Sequence, residues 1–492
     1  MAYNHGVRIS EVATSLLPTA EVSAGIPFIV GTAPVNMTDP TNVNVPKLVY
    51  SYAEAVKEFG YVPPADDAAS GLKKFGFSIS EFIYSQFSLY GVGPAIIVNV
   101  LDPTKHKVTA SITQVALDSK TGSATIPETA IIASTVVLSG MNGDYVKGTD
   151  YTLSFDDDGQ LVITSLKNSE GDFLCTTGVD LTFAAEKLDP SKVSADDVIG
   201  GVTAGVKSGL ELVSECFPRF RLVPGLIIAP GFSENPGVAA VMAAKSSGIN
   251  SVFNAVCIVD IPTDEVKTYT EAAAWKNTNN VTDPTQIACW PKLALDGIVF
   301  NQSTQLAGLI GQVDSENDDV PYVSPSNKNY QMTSAVLDDG AEVWLDVETA
   351  AYLNSQGIVT ALNFTGGWKC WGNRTACYPA NTDVKDAFIP IRRMFAWVGN
   401  TFVQTFWQRV DYPLTRRQVD VIVDSANIWL NGLAAKQYIL GGIVEFRETD
   451  NPTTDLMDGI SVFHVRLTPP SPNREISFVL EYDPSFLQTL FG

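Results

Sequence analysis

Histidine is scarce in this sequence. The 492 residues include only three, His5, His106 and His464, although histidine is the side chain that most often transfers protons near neutral pH. The motifs HExxH, Gly-x-Ser-x-Gly and GxxxxGK, which mark zinc proteases, serine hydrolases and phosphate-binding loops, are absent as well. We therefore expect that the chain is not an enzyme, and we predict no catalytic residue, no cofactor-binding residue and no metal ligand.

Two short matches to functional motifs are better explained by ordinary structure. Ser70 and Lys73 form an SxxK pair, but the partner motifs of that class of enzymes are missing. Residues 156–159 are rich in aspartate, yet no bidentate glutamate follows at the spacing of a calcium loop. This run is instead typical of a β-hairpin turn closed by Asp158 and Gly159.

Long hydrophobic segments and a secretory leader are also lacking. The longest apolar runs, such as residues 95–100 and 225–229, are far shorter than the roughly 18 residues that suggest a membrane span. The first residues, MAYNHGVRISEV, contain no basic stretch followed by an apolar block. We expect no direct membrane insertion and a chain that is made and folded in a cytoplasm.

The six cysteines form no CxxC motif of the kind that binds zinc or carries out redox chemistry. They are spread through apolar segments, so we predict buried free thiols. A disulfide between Cys370 and Cys377 is left open only for an oxidising compartment.

Negative charge dominates the chain, with 54 acidic against 32 basic residues and a net charge of -22. Such a surface repels phosphate backbones, so we predict no nucleic-acid partner. The charge is uneven, because residues 369–450 hold ten basic and eight acidic residues. The C-terminal part is therefore electrostatically distinct from the rest.

The periodicity of apolar residues divides the chain into parts. Residues 1–20 read as an N-terminal arm, because Val7 and Ile9 alternate with polar neighbours as in a short strand. Residues 21–101 and 198–365 alternate strands with helices and predict one central α/β domain. Between them, residues 102–197 contain short alternating runs broken by turns, and they predict an inserted β-rich domain.

Two long helices dominate residues 366–470, the predicted C-terminal domain. The first shows an apolar stripe from Ile391 to Val410, with Pro390 in its first turn. Thr415 and Gln418 form a capping box for the second, which ends at a pair of glycines. Strand candidates follow at residues 443–447, 460–467 and 476–482. The last of them belongs to a C-terminal arm, residues 471–492, entered through the proline-rich linker TPPSPN.

Several segments resemble the tail sheath family of contractile phages and related bacteriocins. Near the start these are GVRISEV, GIPFIVGTAP and PKLVYSYAEAVKEFG. More specific is the stretch GIVTALNFTGGWKCWGNRT, which ends in the signature Trp371, Gly372, Asn373, Arg374 and Thr375. The two helices, the Gly-Gly break and the proline-rich linker continue the similarity, which covers most of the chain except the β-rich insertion.

The resemblance implies a multidomain α/β fold. Its central domain would be subtilisin-like but non-catalytic, since no histidine between residues 107 and 463 is present to complete a triad. The inserted β-rich domain and an α+β C-terminal sheath domain with exchanged terminal strands would complete the subunit.

The resemblance further implies a structural subunit that polymerises as a helical stack of rings around an inner tail tube and contracts to drive the tube through the target envelope. The implied partners are further copies of the chain, the tail tube protein, and baseplate and tail terminator proteins. The implied location is a virion tail or tail-like particle assembled in the cytoplasm of a bacterial host. Strands at both termini would pair with neighbouring subunits by β-augmentation. The residues predicted to take part in this exchange are Val7, Ile9, Val12, Ile443, Phe446, Phe463, Val465, Leu467, Ile476, Phe478 and Leu480.

Four arginines are candidates for contact with the tube, namely Arg392, Arg393, Arg416 and Arg417. Ordinary solvated or cap-adjacent charges are the alternative for all four. The alternative functions are the sheath of a phage-derived bacteriocin or injection particle and, in a different class, an envelope-facing adhesin or carbohydrate-binding protein. A hydrolase on the α/β core lacks a nucleophile and base that can be named.

Overall fold

The computed structural model describes residues 22–141 and 143–491. The strands of this part are β1 (Pro27–Gly31), β2 (Lys47–Val49), β3 (Ala65–Asp67), β4 (Leu72–Lys74), β5 (Ala95–Asn99), β6 (Lys107–Thr109), β7 (Gln114–Ala116), β8 (Ser123–Thr129), β9 (Val137–Gly140), β10 (Gly143–Tyr145), β11 (Tyr151–Phe155), β12 (Gln160–Ser165), β13 (Asp180–Ala184), β14 (Glu186–Leu188), β15 (Gly201–Thr203), β16 (Val206–Ser208), β17 (Leu226–Ile228), β18 (Val256–Asp260), β19 (Gln286–Cys289), β20 (Lys292–Leu295), β21 (Ile298–Phe300), β22 (Ser334–Val336), β23 (Ile358–Asn363), β24 (Trp368–Trp371), β25 (Gly441–Glu445) and β26 (His464–Thr468).

The α-helices are α1 (Tyr52–Phe59), α2 (Ser78–Ile83), α3 (Ala195–Ile199), α4 (Cys216–Phe220), α5 (Pro236–Ser246), α6 (Tyr269–Thr278), α7 (Gln302–Ser315), α8 (Val347–Ser355), α9 (Val384–Ala387), α10 (Ile389–Phe406), α11 (Arg416–Ala435) and α12 (Thr453–Met457). A π-helical segment, Tyr84–Leu89, continues α2, and a 3-10 segment, Pro484–Phe491, lies at the C-terminal end.

An eight-stranded sheet forms the centre of the molecule, in the order β2-β5-β1-β17-β18-β19-β23-β24. Its six inner strands are parallel, and the two edge strands run antiparallel to them. Strands such as β5 and β18 are buried along their whole length, as expected of parallel strands covered by helices on both faces. The mixed α/β architecture inferred from the strand–helix alternation is confirmed.

Strands β6 to β14 form a separate β-rich body with its own hydrophobic core, which includes Leu138, Tyr151, Leu161 and Phe183. The predicted hairpin is confirmed: β11 pairs antiparallel with β12, and Gly159 adopts a positive φ of 75° in the connecting turn. A five-stranded sheet, β22-β20-β21-β4-β3, lies beside the central sheet.

The two long predicted helices are α10 and α11, and they pack through Trp397, Phe402 and Trp429. Helix α10 ends earlier than the stripe of apolar residues suggests, at Phe406. The side chain of Thr415 accepts a hydrogen bond from the backbone N–H of Gln418 and caps α11. Strands β25 and β26 form a two-stranded sheet against α11.

The segment at residues 476–482, predicted as a strand, forms no strand in this subunit. Its alternation of apolar and polar residues suits a strand, but no other strand of the described chain lies beside it to supply backbone hydrogen bonds. Strand β24 pairs with β23 and extends the central sheet, although the predicted C-terminal domain begins at residue 366, just before it.

A buried junction ties α10 to the central body. The Arg393 guanidinium forms an ion pair with the Asp314 carboxylate of α7, and both side chains are at most 3% exposed. Arg393 also donates to the carbonyl of Ala24, and the Trp397 indole N–H donates to the carbonyl of Val22. The chain that leads from the N-terminal arm into β1 is therefore held between α10 and the body.

Candidate assembly interface

The β25–β26 sheet has one edge that is closed and one that is open. The Asn427 side chain, on α11, accepts from the backbone N–H of Val444 at 2.7 Å and donates to its carbonyl at 3.0 Å. Because both groups bond to Asn427, Val444 and the opposite residue Val465 form a non-hydrogen-bonded pair of the antiparallel ladder, in which the backbone groups of each residue face away from the partner strand. The outward backbone groups of Val465 and Leu467 meet no further strand in the described part of the chain, so β26 is the edge open to pairing.

A hydrophobic groove of about 790 Å³ lies beside β26, between the end of α10 and the start of α11. Aromatic and aliphatic side chains supply most of its lining: Phe402, Val403, Phe406, Val410, Tyr412, Leu414, Val419, Ile422, Val444, Phe463 and Val465. Val410, Tyr412 and Leu414 are exposed. A strand added to the β26 edge would cover this groove and bury its apolar surface.

The predicted exchange residues around this sheet take different positions. Phe463, just before β26, packs against Phe446 in a tilted arrangement with ring centroids 5.3 Å apart. Val465 and Leu467 are half-buried on the face towards the helices, and Ile443 is 41% exposed. The structure brings these five residues together: Ile443, Val465 and Leu467 lie in the two-stranded sheet, and Phe446 and Phe463 lie at its end.

The C-terminal arm carries the complementary pattern. Ile476, Phe478 and Leu480 are 67%, 86% and 94% exposed, and in an extended chain such alternate residues point to one side. Single exposed apolar residues are common on protein surfaces, but three large ones at alternate positions form a continuous apolar face that is typical of a binding surface. Val7, Ile9 and Val12, the predicted exchange residues of the N-terminal arm, lie outside the described residues.

The four candidate tube-contacting arginines do not form one patch. Arg393 is buried in its pair with Asp314, so its charge is not available at the surface of the subunit. Arg392 is half-buried and bonds to Asp386 at 3.2 Å. Arg416 is exposed and bonds to Asp420 one turn along α11, and Arg417 is exposed beside it. The i, i+1 spacing gave no means to distinguish the buried arginine from its neighbour.

Sequence reasoning also missed a group of buried carboxyls at the carboxyl ends of the central strands. Asp260, at the end of β18, accepts hydrogen bonds from the backbone N–H of Ser303 and from the hydroxyls of Ser233 and Ser303. Glu81 accepts from Asn301 and Thr304. Their positions in separate strands and helices left no local motif to detect.

The cluster of buried carboxyls around Asp260 and Glu81 does not form a recognisable catalytic site in the described part of the chain. Both oxygens of Asp260 are occupied by protein donors, and the two described histidines contact other residues. His106 bonds to Asp102 and faces Asp197, and His464 faces Asp450. Within residues 22–141 and 143–491 no cluster of metal-ligating side chains occurs, no helix is long and apolar enough to cross a membrane, and all six cysteines are buried free thiols.

Glu81 makes stability depend on pH. Burial raises its pKa to about 7, against hydrogen bonds that lower it. Because the folded pKa exceeds the unfolded value of about 4.3, ionisation of Glu81 destabilises the fold as the pH rises from 4.3 through 7. We expect Glu81→Gln to be more stable than the parent by about 1–3 kcal/mol at pH 8, and to have no advantage at pH 4.5.

Chemical denaturation at several pH values checks this prediction. Asn301 can turn its amide so that its unpartnered Oδ1 accepts from the amide that the substitution introduces at position 81. Glu265→Gln, at an exposed position, is the control and should change stability equally little at both pH values. A Glu81→Gln effect that is the same at pH 4.5 and pH 8 would contradict the assignment.

Similarity to known proteins supports the sheath fold. No protein-family model matches the chain. The chain is 28% identical over 516 residues to the tail sheath protein of Burkholderia phage BcepMu, covering 100% of this chain and 99% of the relative.

Two solved structures have the same fold at low sequence identity. The PVC sheath complex of an extracellular contractile injection system, in its contracted state, superposes with a TM-score of 0.59 at 13% identity over 99% of each chain. The contracted helical sheath of the anti-feeding prophage gives a TM-score of 0.56 at 14% identity, covering 97% of this chain and 99% of that one. The chain is a homologue of phage tail sheath proteins and has the fold of contractile sheath subunits.

Proposed function

We propose that this chain is the structural, non-enzymatic subunit of a contractile tail sheath. Copies of it would polymerise around an inner tail tube, linked by exchanged terminal strands, and contract to drive the tube through the target envelope. One observation carries the proposal: a single subunit exposes both a strand-like apolar arm and an open strand edge with an apolar groove beside it. In the described subunit neither feature is paired with the other, and we infer that they pair between copies.

The energetics favour pairing of the arm with β26. Burying Ile476, Phe478 and Leu480 would contribute roughly 5 to 9 kcal/mol, at about 1.5 to 3 kcal/mol per large apolar side chain. The ordering of the arm and the loss of free motion oppose this gain. The net free energy of pairing is the burial gain minus this cost, and it would be repeated at every subunit of a polymer. A sheath could store energy in this way without nucleotide hydrolysis.

The proposal includes the remaining organisation of the subunit. Residues 1–20 and 471–492 are the two arms, residues 21–101 and 198–365 a central domain of subtilisin-like, non-catalytic fold, residues 102–197 an inserted domain, and residues 366–470 the C-terminal domain. The partners would be a tube protein, a baseplate and a tail terminator, and assembly would take place in the bacterial cytoplasm. Arg392, Arg416 and Arg417 stay candidates for tube contact.

The gene neighbours of this chain would identify the kind of particle to which it belongs. A phage tail is favoured by the full-length similarity to a phage sheath protein. An injection particle is favoured by the two structural relatives, which come from such systems. Head and packaging genes next to the tail genes would identify a phage.

Opposite faces of the arm provide the test. Phe478→Asp places a charge on the face that would enter the groove, whereas Val479→Asp, also at an exposed position, places it on the solvent face. We expect purified Phe478→Asp to stay monomeric at concentrations where the parent and Val479→Asp form tubes, as seen by negative-stain electron microscopy and sedimentation. Both variants should keep the parent's melting temperature, since neither side chain is packed in the subunit.

Two results would refute the proposal. One is a parent chain that stays monomeric at every concentration tested. The other is equal tube formation by the Phe478→Asp and Val479→Asp variants, because only an arm that pairs as a strand distinguishes its two faces.

A further inference from the structure

A cleft of about 600 Å³ lies where the root of the C-terminal arm passes over the central body. One wall consists of residues 470–474, where the C-terminal arm begins. The opposite walls include the loop 322–328 and the Trp371 to Arg374 segment. The cleft is therefore built by two parts of the chain that are about 100 residues or more apart, and the root of the arm forms one of its sides.

The charge of this cleft is opposite to that of the chain. Lys328, Arg374 and Arg474 line it, and no aspartate or glutamate is among the lining residues. Serine and asparagine side chains supply the rest of its polar surface. In a chain with a net charge of -22, three cations around an opening without a carboxylate form a site for an anionic group.

Arg374 is held in place without an acidic partner. Its guanidinium lies over the ring of Phe388, 3.7 Å from the centroid, and over that of Tyr378 at 4.4 Å. No carboxylate of the described chain lies within 4.0 Å of Arg374 or of the Lys328 ammonium. Aromatic rings orient the planar guanidinium but leave its N–H groups free to donate.

The arm brings a second guanidinium into the same cleft. Among residues 22–141 and 143–491, the Arg474 guanidinium bonds only to its exposed neighbour Glu475, at 3.4 Å. Burial and the nearby Arg474 charge both lower the pKa of Arg374. Two like charges in one cleft repel each other unless an anion lies between them, and a carboxylate accepts paired N–H bonds from arginine well.

We propose that this cleft receives an acidic segment of a second copy of the chain, with Lys328, Arg374 and Arg474 binding its carboxylates. The inference rests on the proposed assembly of copies. A second copy is the favoured occupant for two reasons: its surface is strongly acidic, and Arg474 is two residues from Ile476, so the copy that takes the arm lies within about 7 Å of chain length from the cleft. The site would thus lock the arm in its exchanged position.

Carbodiimide coupling within assembled tubes tests the site directly. Tubes are grown from an equal mixture of 14N- and 15N-labelled chains, and the reagent joins a lysine ammonium to a carboxylate that it contacts. We expect Lys328 to be coupled to an aspartate or glutamate in peptides that combine both labels. Lys328→Gln should abolish this product and leave other cross-links unchanged.

Reversing the charges of Lys328 and Arg474 measures how much the cleft contributes to assembly. We expect Lys328→Glu/Arg474→Glu to raise the protein concentration needed for tube formation at least tenfold. Lys57→Glu/Lys120→Glu reverses the same charge at two exposed lysines that bond to no carboxylate in the described chain, and should raise it less than threefold. Lys328→Gln/Arg474→Gln should fall between them and weaken the dependence of assembly on salt.

The outcomes separate this inference from the proposed function. Tubes that form normally but give Lys328 products only within one chain, or none, would overturn the cleft site and leave the sheath assembly intact. The cleft site would also be overturned if Lys328→Glu/Arg474→Glu and Lys57→Glu/Lys120→Glu raised the required concentration equally, because the change in net charge would then explain both results. If the parent forms no tubes, the proposed function itself fails.

Discussion

Replacing Arg393 with methionine is expected to lower the free energy of unfolding by about 3–5 kcal/mol, because it leaves the Asp314 carboxylate buried without its cation. Asp314 is 1% exposed, and the Arg393 Nη1 donates to its Oδ1 at 3.0 Å. The same guanidinium donates to the Ala24 carbonyl at 3.2 Å, so the variant also removes a contact that holds the segment leading into β1.

The pH dependence of this loss has a definite sign. Burial raises the pKa of Asp314, and the Arg393 charge opposes that rise. Without Arg393 the pKa rises further, and the carboxyl takes up a proton as the pH falls. The penalty of Arg393→Met should therefore shrink between pH 8 and pH 5, as measured by urea denaturation at a series of pH values.

Two further variants make the test specific. The double variant Asp314→Leu/Arg393→Met removes both charges and should recover most of the lost stability. Arg392→Met, at the adjacent and half-buried arginine, should cost less than about 1 kcal/mol. A double variant as unstable as the single one would show that the pair itself, rather than the orphaned charge, determines stability.

Replacing Lys276 with methionine is expected to stabilise the protein by about 2 kcal/mol at pH 7. Lys276 lies on α6, 1% exposed, and its ammonium donates to the carbonyl of Tyr378 at 3.2 Å. No carboxylate of the described chain lies within 4.0 Å of it. Burial lowers its pKa to about 8, so the fold carries a charged ammonium at neutral pH at a cost that methionine removes, apart from the lost hydrogen bond.

Stability curves at pH 7 and pH 10 check this assignment. Since the folded pKa of about 8 lies below the unfolded value of about 10.4, the parent gains stability as the pH rises through this range and the Lys276→Met advantage should disappear near pH 10. Lys57→Met on α1, where the side chain is exposed, should show no such pH dependence. A gain that persists at pH 10 would indicate better packing instead of a relieved charge.

Local patterns predicted the elements whose cause is local. Helices α10 and α11 follow from apolar residues at helical spacing and from the cap at Thr415, and the β11–β12 hairpin follows from its turn residues. The exposed arm shows the limit of such patterns. Its alternation predicted a strand at residues 476–482, but the segment forms none in the described part of the subunit, because pairing depends on a partner strand elsewhere in the molecule or in another copy.

Burial of charge could not be predicted in the same way. Arg392 and Arg393 are adjacent and chemically identical, yet one is half-buried beside Asp386 and the other is buried on Asp314, 79 residues away. The cleft at the root of the C-terminal arm combines Arg374 with Arg474, which is far later in the chain. The buried carboxyls of Glu81 and Asp260 are likewise brought together from distant parts of the chain.

Periodicity, turn residues and the signature around Trp371 determined the mixed α/β architecture and the similarity to sheath proteins, because each depends on neighbours a few residues apart. Tertiary structure alone decided which charges are buried, which strand edge is open and where the arm leaves the body. These depend on contacts between segments tens to hundreds of residues apart, and the energy of such contacts is set by the packing that surrounds them.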